Sequence, residues 1–145
     1  AEKIVEDVLA YNAHSVVVTG GEPLIYNLDY LTRLLREKQI ATFIETSGAY
    51  PLSGAWNWIC LSPKKTMPPR PDVYQQANEL KVIVFNKHDF IWAEEQAALV
   101  SDSCYLYLQP EWSKHSALLP EIIEYVKSHP KWMISLQTHK YMHIP

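Results

Sequence analysis

The chain has 145 residues, 48% hydrophobic and 20% charged, a balance that excludes a disordered or fibrous protein and fits one domain burying roughly two thirds of its unfolded surface. Its 13 Lys and Arg against 16 Asp and Glu leave a net charge of -3, and no basic run exceeds Lys64-Lys65, which argues against a nucleic-acid partner and for small ligands. No apolar stretch is long enough to cross a bilayer, and the opening "AEKIVEDVLA" is amphipathic rather than a secretory signal, so the expectation is a cytoplasmic protein without a membrane partner.

In chain order, Ile4, Val5, Val8 and Leu9 recur at helical spacing, and Val16 to Val18 read as a strand. Asn27 is placed to cap a second helix, with Leu28, Leu31, Leu34 and Leu35 on its apolar face and Arg33, Arg36, Glu37 and Lys38 toward water. "IATFIET", "WNWICLS", "ELKVIVF", "CYLYLQP" and "WMISLQT" read as further strands. Asp89 opens a helix from Phe90 to about Val100, and another spans about Ala117 to Ser128, with Leu119, Ile122, Ile123 and Val126 on its apolar side. The segment "KKTMPPRPDVY" carries three prolines in four positions, which denies ladder donors and helix continuation, so it reads as a loop. Cys60 and Cys104 lie far apart inside apolar segments and read as buried, reduced thiols rather than a disulfide. Trp56, Trp58 and Trp92 serve either as interface anchors or as core packing.

Strands alternating with helices make an α/β protein with a mainly parallel sheet, either doubly wound or all or part of a β/α barrel. Both architectures gather ligands at the C-terminal ends of their strands. Thr19-Gly20-Gly21-Glu22, Glu45-Thr46-Ser47-Gly48, Ser62-Pro63-Lys64, Gln109-Pro110-Glu111 and Gln137-Thr138-His139 all begin where a predicted strand ends. These polar strand ends would face one mouth.

Each group has two readings. Gly20 and Gly21 lack Cβ, so their backbone either meets a polar ligand or merely makes a tight turn before Pro23. Ser62, Pro63 and Lys64 can grip a carboxylate or form a solvated strand end. Glu45 and Ser47 share one side of an extended segment and could hold a ribose hydroxyl or an amine, or belong to a surface turn. Trp112, just after Gln109, Pro110 and Glu111, either stacks on a flat ring or packs at the rim. His139 and His143 are spaced for a metal only on a helix. The strand before them and Pro145 argue against one, which favours hydrogen bonding. Pro145 offers a terminal carboxylate that is either functional or frayed.

Taken together, "TGGEPL", "IETSG", "LSPK", "ELKVIV", "LQPE" and "SLQTHKYMHIP" resemble, in this order and over nearly the whole chain, the radical S-adenosylmethionine superfamily and within it the 7-carboxy-7-deazaguanine synthase family. The resemblance implies a single domain over residues 1–145, a partial β/α barrel of the radical S-adenosylmethionine type lacking its N-terminal cluster-binding segment. It implies a carbon–nitrogen lyase of queuosine biosynthesis that converts 6-carboxy-5,6,7,8-tetrahydropterin to 7-carboxy-7-deazaguanine with loss of ammonia. Its implied cofactors are S-adenosylmethionine, Mg2+ and a [4Fe-4S] cluster whose cysteine triplet lies upstream of the matching segment, outside this chain, so that these residues alone would be inactive. Its implied partners are a flavodoxin or ferredoxin electron donor and a second copy in a homodimer.

By the same resemblance Gly20, Gly21 and Glu22 would hold the amino end of S-adenosylmethionine, Ser62, Pro63 and Lys64 would lie beside it, and Gln109, Pro110, Glu111 and Trp112 would wall its adenosyl part. Thr19, His139 and the carboxylate of Pro145 would face the pterin, whose N–H donors want acceptors. No catalytic residue or metal ligand is assigned within the chain. Another radical S-adenosylmethionine enzyme of the activating type, or a cluster-free α/β ligand-binding domain, are the alternatives.

Overall fold

The computed structural model describes residues 1–144, so Pro145 lies outside the described residues. Six strands, β1 (Ser15–Val18), β2 (Ala41–Thr46), β3 (Trp58–Leu61), β4 (Glu79–Val84), β5 (Tyr105–Pro110) and β6 (Trp132–Ile134), form one sheet in strictly sequential order. Every pairing is parallel. A doubly wound sheet reverses its strand order at a switch point, and this one does not. The sequential order is that of an incomplete β/α barrel, as the family resemblance implies.

The helices are α1 (Glu2–Ala10), α2 (Asp29–Glu37), α3 (Pro71–Gln76), α4 (Asp89–Ala97), α5 (His115–Ser128) and α6 (Thr138–Tyr141). Alternation along the strands explains where the core lies. Ile44, Ile59, Leu61, Leu80, Val82, Val84 and Leu108 are buried beneath Val5, Leu31 and Leu35 of α1 and α2 and Val73, Ala93, Leu118 and Ile122 of α3 to α5. Successive side chains point to opposite faces, so Phe43, Glu45, Cys60, Glu79, Lys81, Tyr107 and Gln109 lie on the other, inner face. Register aligns them across the sheet: Glu45 opposes Cys60, Cys60 opposes Glu79, Lys81 opposes Tyr107 and Ile83 opposes Gln109. Two asparagines continue the ladder below the strands: Asn57 Oδ1 accepts from Thr42 N–H at 2.8 Å, and Asn78 Oδ1 accepts from Ile59 N–H at 2.7 Å.

Several expectations need correction. The proline-rich segment is not loop throughout, because Pro71 starts α3 at a first-turn position whose missing N–H costs nothing. Asn27 does not occupy the cap position, which falls to Leu28, although its Oδ1 accepts from Asp29 N–H at 2.9 Å. Asp89 begins α4, but its carboxylate turns back to Phe85 and Asn86 rather than capping the first turn. The helix predicted from Ala117 starts at His115, which leaves Pro120 inside it at the loss of one backbone bond. The final predicted strand stops at Ile134, and a one-turn helix, α6, forms where none was expected. That helix includes His139 and ends before His143, whose φ is 54°. Trp56, Trp58 and Trp92 are half-buried: Trp56 and Trp92 pack against the core, and Trp58 stacks on Tyr105 with its indole N–H donating to Glu79 at 3.1 Å.

Candidate active site

The parallel sheet brings the polar strand ends to one edge, where they border a two-lobed cleft. The narrower lobe, about 200 Å³, is lined by Thr19, Gly20, Gly21, Ser47, Ser62 and Lys64. The wider lobe, about 340 Å³, runs down the inner face past Glu79 and Tyr107 and is closed by Ser135, Leu136 and His139. Glu45, Lys81, Gln109 and Gln137 line both lobes. The cleft therefore joins residues from the C-terminal ends of β1 to β5 with the segment after β6.

Glu22 determines the shape of the β1 end. Its Oε1 accepts from Leu24 N–H at 3.0 Å and Thr46 Oγ1 at 2.6 Å, while Oε2 accepts from Ser47 N–H at 2.8 Å and from the Ser47 hydroxyl. Burial alone would raise its pKa, but the hydrogen bonds from Ser47 and Thr46, with those of the backbone, hold the carboxyl below its usual range. The side chain is thus a strut between two strand ends, and the glycines are left presenting bare backbone. A Cβ built on Gly20 or Gly21 would meet no atom within 4 Å, although Gly20, at φ 129°, adopts a conformation that favours glycine. Packing within the protein makes no demand for glycine at position 21. Open space above exposed backbone suits a polar ligand.

Charge converges at the junction of the lobes. Lys81 Nζ lies 3.0 Å from Glu45 Oε2, with the lysine side chain 14% exposed. Burial opposes the lysine's charge, yet the pKa is raised, the Glu45 carboxylate beside it favouring the charged form. Lys64 is lowered, by burial and then by the charge of Lys81, and its Nζ reaches Ser62 Oγ at 3.4 Å. Gln109 is buried and accepts from Ser135 Oγ at 2.9 Å.

Not every expected residue meets the cleft. Pro63 lines an adjoining apolar hollow with Lys64, Ile83, Phe85 and Trp92. Pro110 is buried at the end of β5. Glu111 accepts from Ser113 N–H at 3.0 Å and from its hydroxyl, which caps the next turn, and Trp112 stacks on His115 with ring centroids 4.3 Å apart. Sequence reading missed Lys81 and Glu79 as cleft residues. The signal was a charged residue alternating with Leu80, Val82 and Val84 in "ELKVIV", which a strand with one solvated or ligand-facing side would carry.

The donor set fits S-adenosylmethionine: bare backbone at Gly20 and Gly21 suits an ammonium, and Lys64 with Ser62 suits a carboxylate. The described residues offer no thiolate set for an iron–sulfur cluster. Among the described residues no three His, Cys, Asp or Glu side chains converge. Cys60 and Cys104 are buried, and burial pushes both thiols up, Cys104 to about 11.

A sequential parallel sheet with a polar cleft at its strand ends and helices α1 to α5 packed on its outer face is the architecture of a β/α-barrel enzyme. No family model matches the chain. It is 55% identical over 142 residues to the 7-carboxy-7-deazaguanine synthase of Flavobacterium psychrophilum, covering 98% of this chain and 67% of that protein. It is 44% identical over 140 residues to the synthase of Synechocystis sp., covering 97% and 67%. The crystal structure of QueE from Escherichia coli superposes with a TM-score of 0.81 at 31% identity, covering 94% of this chain and 63% of that one. The chain belongs to the 7-carboxy-7-deazaguanine synthase family, enzymes of queuosine biosynthesis, and spans about two thirds of the length of these curated relatives. Membership bears out the family and the expectation of an enzyme, and the sheet with its QueE neighbour bears out the α/β fold. No helix among the described residues is long and apolar enough to cross a membrane.

Proposed function

We propose that this chain supplies the cofactor and substrate walls of an enzyme that converts 6-carboxy-5,6,7,8-tetrahydropterin to 7-carboxy-7-deazaguanine with loss of ammonia, with S-adenosylmethionine in the narrower lobe and the pterin in the wider one. The observation that carries this reading is the pair of adjoining lobes, one edged by Gly20 and Gly21 and the other by His139, meeting over Lys81 and Glu45. S-adenosylmethionine, when bound, supplies the hydrogen-abstracting group.

The chain's own residues bind, orient and shield. The Gly20-Gly21 backbone presents its polar groups to the methionyl ammonium, and Lys64 and Ser62 hold the carboxylate. His139 offers an imidazole nitrogen to the amino and ring N–H groups of the pterin, whereas Thr19 lines the narrower lobe and is assigned to the pterin on the family resemblance alone. Gln109, buried against β6, closes the floor between the lobes, so the two reactants meet in a fixed orientation with little water between them. An electron donor such as flavodoxin or ferredoxin, a cytoplasmic location and a homodimer are further parts of this reading and rest on that resemblance.

Titration calorimetry on the full-length protein tests it. His139→Ala should weaken 6-carboxytetrahydropterin about tenfold or more while leaving S-adenosylmethionine within about twofold. Gly21→Val should do the reverse. Equal loss of both ligands in both variants, or loss of neither, overturns the assignment of the lobes.

A further inference from the structure

The segment after β6 carries Gln137 and His139 to the cleft, yet among the described residues the hydrogen bonds of 136–144 stay within the segment itself: Thr138 N–H to Leu136 O at 2.9 Å, Met142 N–H to Thr138 O at 3.1 Å and Ile144 N–H to His139 O at 2.9 Å. What ties it to the rest of the chain is aromatic. The Trp112 and His115 rings stack at 4.3 Å and 6°. Tyr141 stands edge-on to both, 5.0 Å from Trp112 at 88° and 5.7 Å from His115 at 87°. Lys140 Nζ lies 5.4 Å from the Trp112 centroid. The stack is itself braced, because His115 Nδ1 donates to the Trp112 carbonyl at 2.6 Å.

We propose that Tyr141 and His115 are positioning residues: with Trp112 they form an aromatic clasp that seats α6, and thereby His139, at the pterin lobe. Edge-to-face packing at these separations and angles is the favourable arrangement of ring quadrupoles, and a cation over an indole adds to it. His139 lies two residues before Tyr141 on a single helical turn, so a small displacement of Tyr141 moves the imidazole with it. A misplacement of the order of an ångström is enough to spoil substrate orientation. This inference rests on the assignment of His139 to the substrate wall.

The experiment compares full-length protein with Tyr141→Ala, Tyr141→Phe and His115→Ala. Its readouts are affinity for 6-carboxytetrahydropterin and for S-adenosylmethionine, the thermal midpoint, and hydrogen exchange at the amides of Met142 and Ile144. Tyr141→Ala and His115→Ala should weaken the pterin about tenfold, keep S-adenosylmethionine within about twofold, and speed exchange at both amides about tenfold. Tyr141→Phe, which keeps the ring, should behave as the parent. Pterin affinity unchanged in Tyr141→Ala, equal weakening of both ligands, or failure of Tyr141→Phe to rescue each overturns the clasp. If the parent itself does not bind the pterin, the functional reading falls while exchange still decides the clasp: unchanged protection in Tyr141→Ala overturns it, and faster exchange supports it.

Discussion

Glu22, in the loop after β1, accepts the backbone N–H of Ser47 at the end of β2 at 2.8 Å, and this bond ties the Gly20-Gly21 loop to the neighbouring strand. The same carboxylate takes Thr46 Oγ1 at 2.6 Å. Removing it strands two backbone donors. Glu22→Ala should lower unfolding free energy by about 1–3 kcal/mol, read by urea titration, and should weaken S-adenosylmethionine more than the pterin, read by calorimetry.

The pH dependence follows from three carboxyls held below their ordinary values. In Glu22, Asp89 and Glu94 burial works upward, and hydrogen bonds outweigh it: from Ser47 and Thr46 to Glu22, from Lys65 and the Phe85 and Asn86 amides to Asp89, and from Lys131, Tyr125 and Trp132 to Glu94. A depressed folded pKa contributes stability that is fully present above the unfolded value and is lost as pH falls through the folded one. The thermal midpoint should therefore stay level from neutral pH to about pH 5 and drop below it. Asp89→Asn should show a shallower drop by scanning calorimetry.

Asp89 is 1% exposed, accepts from Phe85 N–H at 2.6 Å and Asn86 N–H at 3.1 Å, and pairs with Lys65. Its removal leaves two amides without an acceptor. Asp89→Ala should cost roughly 3–5 kcal/mol. Lys65→Met, at a side chain 54% exposed, should cost less, about 1–2 kcal/mol, because the buried carboxylate keeps its two amide bonds. Comparable losses for the two would show that the ion pair, rather than the amide bonds, is what matters there.

Glycines separate packing from ligand access. Gly48 has φ 73°, and a Cβ there would lie 2.6 Å from Leu61 Cδ1, so Gly48→Ala should destabilise by about 1–3 kcal/mol. Gly21, with open space above it, should accept alanine at a cost near 0.5 kcal/mol or less while its affinity for S-adenosylmethionine falls. Parallel denaturation and binding curves on the two variants distinguish these outcomes.

The Glu45–Lys81 pair should matter to the ligands more than to the fold. Lys81, with its raised pKa, contributes stability that is present below its unfolded pKa and lost only as pH rises through the folded value, so the pair is fully formed at neutral pH. Lys81→Met should change the unfolding free energy by about 1 kcal/mol or less, since Glu45, its side chain 43% exposed, keeps its water when the lysine is lost, and should reduce turnover of the full-length enzyme. Unaltered steady-state kinetics would remove Lys81 from the site.

Much of the fold was legible along the chain. Strand and helix types, the parallel pairing and the polar strand ends are local or periodic properties, carried by runs such as "VVVTGG" and "ELKVIV". The alternation that buries Leu80, Val82 and Val84 also predicts that Lys81 faces the other way. What local pattern leaves open is decided by contacts between distant residues. A barrel rather than a doubly wound sheet is a matter of strand order. The fate of Glu22 as a strut depends on Ser47, 25 residues away, and Trp112 turns to His115 and Tyr141 rather than to the cleft. Even α6 forms only beyond a strand that stops at Ile134, against the reading of its own flanking residues. The sequence by itself determines which groups stand at the strand ends, because side-chain type and periodicity are properties of neighbours in the chain. Only the tertiary structure decides which of them reach the cleft and which are consumed in holding it together, because a carboxylate or an aromatic ring satisfies whichever partner the fold brings within reach.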